Sequence, residues 1–165
     1  MKLRIEHVIR GIDLPAYEEL YFDEAFQVAL GASVKIDREL VRLDRGPDRI
    51  VRHVRVQPER EIPAPVAKLL GGKRLSYVEE LDYAPGRYHG TWRIVPGVLA
   101  DKATMGGTLD FEAVPGGVRR ILAGEIGVSL FGVGGLVEKV IVSNVEKSYD
   151  DAAAFTERWL ARGAG

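Results

Sequence analysis

From residue 34 onward, turn signals recur at strand-length intervals, and that spacing constrains the fold more than any other feature of the chain. They are "RGPD" at 45–48, "APGR" at 84–87, "VPGV" at 95–98 and "VPGG" at 114–117. Proline presets the second position of a turn and glycine supplies a positive φ at the third, so the three Pro-Gly sites predict type II turns between antiparallel strands. The strands so bounded are 34–44, 49–57, 75–83, 88–95, 98–112 and 118–129. The one long interruption, "PEREIPAPVAKLLGGK", sets Val66, Leu69 and Leu70 on one helical face ahead of Gly71-Gly72. It reads as a lid-like loop, with Ile62 also apolar, or as a loop that caps the core.

The flanks differ from this strand-rich centre. Residues 2–10 alternate, with Leu3, Ile5, His7 and Ile9 on one side, as a half-buried strand does. In "DLPAYEELYFDEAFQVALG", Asp13 can cap a helix with Pro15 in its first turn, and the apolar spacing predicts one helix broken near Asp23, or two short ones, ending at Gly31. Residues 133–161 predict a final helix about 40 Å long at 1.5 Å per residue. Its apolar stripe runs through Val133, Val137, Val140, Ile141, Asn144, Ser148, Asp151, Ala152, Phe155 and Trp159, with Lys139, Glu146 and Asp150 opposite. The expected fold class is α+β: a curved antiparallel sheet of about seven strands in the order β-α-α-β6-α, as a single domain over residues 1–165.

Composition removes whole classes of function. With 46% hydrophobic and 28% charged residues the chain reads as globular rather than disordered. A net charge of -1 gives no global pull toward nucleic acid. There is no cysteine, so thiol nucleophiles and thiolate metal sites are excluded. The start, "MKLRIEHVIRG", lacks the continuous apolar stretch of a signal peptide, and no run reaches the roughly 20 residues of a membrane span. The expectation is a cytoplasmic chain with at most transient membrane contact.

Residues 129–144, "SLFGVGGLVEKVIVSN", invite a phosphate-loop reading that fails on inspection. Gly132 and Gly134 begin a dinucleotide fingerprint, but the third required position holds Val137. No Walker A spacing is present, and "GVSLF" is not a nucleophile elbow. The glycines are better read as a sharp corner that lets the helix lie close to the sheet. His7, His53 and His89 are dispersed, and alternation puts His7 on the opposite face from the others, so no metal site and no cofactor is expected.

Polar residues that interrupt the inward-facing sets mark the candidate site. Glu79 falls among Leu75, Tyr77, Leu81 and Tyr83, while the next strand contributes Tyr88, Gly90, Trp92 and Ile94. Arg38 and Arg52 fall on the apolar faces of their strands, His7 on that of the first, and Asp101 on the side of Met105 and Leu109. Isolated interior charges cost several kcal/mol, so these groups must be paired, hydrated, or beside a cavity; a β-bulge that flips a strand would instead put them on the surface.

The order of elements, with "GVGGLVEKVIVSNVEKSYDDAAAFTERWL" entered from a glycine-marked strand end, resembles the START-like superfamily (SRPBCC, the birch-pollen-allergen fold), in an uncharacterised bacterial branch. The resemblance implies a helix-grip fold, the last helix lying across the concave sheet over a cavity that relatives use for lipids, sterols, polyketides or hormones. It designates no catalytic residue. The leading expectation is a noncatalytic carrier or sensor for a small apolar or amphipathic molecule, lined by Tyr77, Trp92, Met105, Val137, Val140 and Ile141, with Arg38, Arg52, Glu79, Asn144 and Ser148 orienting a polar end. The alternatives are a cyclase or dehydratase in which Glu79 or His7 moves protons, and a protein-interaction domain with a filled core.

Overall fold

The computed structural model describes residues 1–59, 61–69, 71–72 and 74–163. Its elements run β1 (Lys2–Arg10), α1 (Leu14–Tyr21), α2 (Glu24–Ser33), β2 (Ile36–Arg45), β3 (Ile50–Pro58), α3 (Ala64–Leu69), β4 (Tyr77–Ala84), β5 (His89–Pro96), β6 (Ala103–Val114), β7 (Gly117–Val128) and α4 (Gly134–Gly163). The strands form one curved antiparallel sheet in the order β1-β7-β6-β5-β4-β3-β2, a helix-grip arrangement with α4 laid over β1 and β7 and α2 over β2.

Local chemistry explains the boundaries. The Asp13 carboxylate accepts from the Ala16 amide at 2.9 Å, and Asp23 caps α2 by accepting from Phe26 at 2.7 Å, so the segment is two helices. Gly31 does not stop α2 as expected; a Cβ there would sit 3.1 Å from Arg38 Cδ and 3.2 Å from the Ile36 carbonyl, so glycine lets β2 pack closely. The chain turns instead at Lys35, with φ 56°. Gly86 and Gly116 take the expected positive φ of 77°. Gly97 does not, because its amide donates to the Ser76 carbonyl at 2.8 Å and prolongs the β4–β5 ladder. The turn is delayed to Leu99 (φ 60°) and a 3₁₀ turn over Ala100–Lys102, so β6 starts later than expected and Asp101 is exposed rather than inward. The stripe of α4 is rotated from the expected one by about one residue. Val142, Val145, Tyr149, Ala153, Thr156 and Leu160 face the sheet beside Ile141 and Phe155.

Two features of the sheet shape its interior. A register shift between Leu40 and Arg42 bulges β2, but it falls after Arg38, which stays on the concave side, and neither Arg52 nor Glu79 is turned to the surface. The β5–β6 ladder runs only from His89↔Asp110 to Arg93↔Gly106, while β4–β5 pairing continues to Tyr77↔Pro96 and β6–β7 pairing to Ala103↔Val128. Beyond Arg93 the two strands part, leaving an open cleft of about 670 Å³.

Trp92 lies across β6 and β7, its indole N–H donating to the Thr108 and Ala123 carbonyls at 3.1 and 3.2 Å. Only glycine permits this. A Cβ at Gly124 would meet the Gly106 carbonyl at 2.3 Å and Trp92 Cζ2 at 2.6 Å, and one at Gly107 would meet the Ala123 carbonyl at 1.9 Å. We therefore expect Gly124→Ala to lower unfolding free energy by about 1–3 kcal/mol through overpacking. Chemical denaturation should show it as a lower midpoint with an unchanged slope.

Candidate functional site

The concave face carries an aromatic cluster in which two guanidinium groups are embedded. Tyr17 and Tyr21 of α1 stack edge-on against Phe111 at 4.9 and 5.1 Å, and Phe22 packs on Tyr83 at 4.9 Å. Arg52 is buried with its guanidinium 5.0 Å from the Tyr21 ring and 5.1 Å from that of Phe22, donating to the Tyr21 carbonyl at 3.2 Å. Glu18 secures this helix to the sheet, accepting from the Tyr83 hydroxyl at 2.7 Å and the Gly86 amide at 3.1 Å.

Arg120 is the second. It is buried, lies 4.7 Å from the Tyr149 ring, and donates to the Tyr149 carbonyl at 3.1 Å and to His7 Nδ1 at 3.2 Å. With Nδ1 accepting, the His7 proton sits on Nε2 and is donated to Asp150 at 2.7 Å. Both His7 nitrogens are thus engaged in tying β1 and β7 to α4, and His7 lines neither of the chambers described next. Arg120, Tyr149 and Asp150 escaped the sequence reading. The alternation Val118, Arg120, Leu122, Gly124, Ile126 carries the signal for Arg120, whereas Tyr149 and Asp150 are reached only because the α4 stripe is rotated.

Two adjoining chambers lie beneath α4, of about 80 and about 50 Å³. They share Tyr77, Ile94, Val145 and Ser148. The first has Arg52, Glu79, Trp92 and Tyr149 in its walls, and the second Met105, Ile141 and Asn144. Arg52 and Glu79 are diagonal neighbours on β3 and β4, since Arg52 opposes Leu81 and Val54 opposes Glu79. Among the described residues no group hydrogen-bonds or ion-pairs with the Glu79 carboxylate, and none gives Arg52 an ion pair.

Three expected site residues sit elsewhere. Arg38 lines a separate pocket beside α2, donating to the Gln27 carbonyl at 3.3 Å. Val137 and Val140 pack with Val66 of α3 and with Val128, a small second core that Ile62 joins. The expected lid therefore lies against the first turns of α4; Leu69 is exposed, and Leu70 lies outside the described residues. Pro58 and Leu75, the two roots of that segment, border the second chamber.

Burial pushes the phenol pKa of Tyr17, Tyr83 and Tyr149 above the ordinary 10.0, with Glu18 adding to the effect at Tyr83 and Arg120 opposing it at Tyr17 and Tyr149. A raised folded-state value means the folded protein holds these protons when the unfolded chain releases them. The stability they confer is complete below the unfolded value of 10.0 and falls as pH rises beyond it. In an alkaline titration, part of the phenolate absorbance should appear together with loss of the near-ultraviolet dichroism, not before it. Full ionisation of all six tyrosines in a chain that remains folded is the contrary result.

Solved structures share this architecture. The crystal structure of TTHA0849 from Thermus thermophilus superposes with a TM-score of 0.65 at 18% identity, covering 94% of this chain and 97% of that one. A putative uncharacterized protein from Rhizobium leguminosarum does so with a TM-score of 0.61 at 16% identity, covering 96% and 95%. Among proteins with curated descriptions, none matches the sequence. Residues 11–160 match the family described as "Protein of unknown function (DUF2505)", and the chain belongs to that family.

Proposed function

We propose that the protein binds a small amphipathic molecule beneath α4 as a noncatalytic carrier or sensor. The observation that carries this reading is the pair of adjoining chambers whose walls are mostly apolar but include Arg52 and Glu79, opposite charges not joined in an ion pair. The ligand's polar end would lie between those two residues and its apolar part along Ile141, Val145 and Met105. Resemblance to the START-like superfamily supports the same site.

Size limits the ligand. Chambers of about 80 and 50 Å³ have room for only a few waters each at about 30 Å³ per molecule, whereas drug-sized sites span about 300–1,000 Å³. A lipid-like or polyketide-like ligand would therefore have to displace α3, or widen the sheet where β5 and β6 part. A smaller amphipathic molecule would need less.

One observation favours a second reading. The Glu79 carboxylate faces the first chamber without a hydrogen-bond partner among the described residues, as an acid or base in a cyclase or dehydratase would. His7, held between Arg120 and Asp150 and away from the chambers, is poorly placed for that role.

Native mass spectrometry of protein purified from its own host tests binding directly. We expect a co-purifying small molecule, and Val145→Trp, which fills the wall common to both chambers, should weaken binding of a fluorescent fatty-acid probe at least about tenfold. No added mass together with no probe binding would sink the reading. Turnover abolished by Glu79→Gln with binding retained would instead establish the enzyme.

A further inference from the structure

We infer that the end of the molecule formed by the β7–α4 corner and α3 docks on an anionic lipid surface, with Phe131 inserted among the lipids. This inference stands apart from the ligand reading, because docking requires no occupied chamber.

Phe131 is 106% exposed, more fully than any other large apolar side chain described. Its neighbours are not loose. Leu130 packs into the small core with Val66, Val128 and Val137, and the Ser129 amide donates to the Lys102 carbonyl at 2.7 Å. Gly132, with φ 77°, then reverses the chain into α4. A ring is thus held outward by an anchored corner. Singly exposed apolar residues are ordinary, but this one has company: Leu136, on the first turn of α4, is 41% exposed, and Leu69, on the helix packed against that turn, is 38% exposed.

The charges around them are mainly positive. Lys68 adjoins Leu69, Lys139 lies one turn beyond Leu136, and Lys102 is bonded through its backbone to Ser129. The nearby Glu138 is turned inward, its carboxylate accepting from the Val128 amide at 2.9 Å, which also holds its pKa below the usual range. The exposed acids there are Asp101, 3.8 Å from Lys102, and Glu61, just ahead of Ile62 of the small core. Protein partners that take an aromatic anchor usually present a preformed socket, and their interfaces are depleted in lysine. A protruding ring with exposed lysines on the segments that adjoin its corner better matches a fluid anionic surface, which closes around any shape and draws in basic residues. No described helix is long and apolar enough to cross a membrane, so the contact is one of surface. It would bring the roots of α3, Pro58 and Leu75, and with them the second chamber, toward the lipid.

Co-sedimentation with vesicles of phosphatidylserine and phosphatidylcholine in equal parts, against pure phosphatidylcholine, is the test. Binding should occur on the mixed vesicles, weaken with added salt, and be at least about tenfold weaker for Phe131→Ser. Lys139→Glu should cost about fivefold or more. Both side chains are exposed, so circular dichroism should be unchanged. Phe131→Trp adds a depth reading: its emission should shift to the blue and be quenched by brominated lipids. The inference fails if mixed vesicles are not bound, if pure phosphatidylcholine is bound equally well, or if Phe131→Ser binds like the unaltered protein. Those outcomes leave the ligand reading untouched, and the mass measurement above can fail without affecting this one.

Discussion

A buried cation under the long helix organises this structure. Placing an isolated guanidinium in a protein interior costs several kcal/mol, and among the described residues Arg120 has no carboxylate in direct contact. Its charge is met by the Tyr149 carbonyl and ring, by His7, and through His7 by Asp150 at the surface. These partners come from β1 and α4, with the base of the cluster supplied by Tyr17 of α1. Helix, sheet and helical pair are thereby positioned by one side chain of β7. The register of α4 follows, since only a rotation that turns Tyr149 inward and leaves Asp150 within reach of His7 satisfies all the contacts.

Arg52 repeats the device at the other side of the concave face with a different outcome. Its rings and the Tyr21 carbonyl come from the α1–α2 junction, yet the face turned toward the chambers meets Glu79 only diagonally. One arginine is enclosed by its own chain; the other borders empty space beside an acid that no described residue pairs. The two arginines differ in surroundings, one held by His7 and Tyr149 and the other lining a chamber, although both have inward parity in the sequence.

The architecture was legible because its signals are local. Turn chemistry and alternation identify the seven strands of the sheet, Asp13 marks the start of the first helix and the region of Asp23 its break, and Arg52, Tyr77, Glu79, Trp92 and Ser148 meet at one chamber as strand parity and helical spacing suggest. What was not legible depends on contacts distant in sequence. Gly31 looks like a helix stop until β2 is seen against it. Gly97 looks like a turn until its amide is found paired with Ser76. The rotation of α4 is decided by Arg120, and a helical stripe alone locates a buried face only to within about a residue. Arg38 has inward parity like Arg52, but α2 covers it, and parity says nothing of which element lies above.

The early end of the β5–β6 ladder divides the sheet into two panels, β2 to β5 on one side and β6, β7 and β1 on the other, joined at that seam by five residue pairs. The long helix rides on the β1–β7 panel and α2 on the panel that ends in β2. Chamber walls are drawn from both, with Glu79 and Trp92 from one panel and Met105 and Leu122 from the other. Besides those five pairs, the panels are tied by the Trp92 indole, which reaches from β5 to carbonyls of β6 and β7, and by Phe26 of α2 against Phe155 and Trp159 of α4. The chamber walls are therefore set by a few side chains at the seam rather than by a continuous ladder.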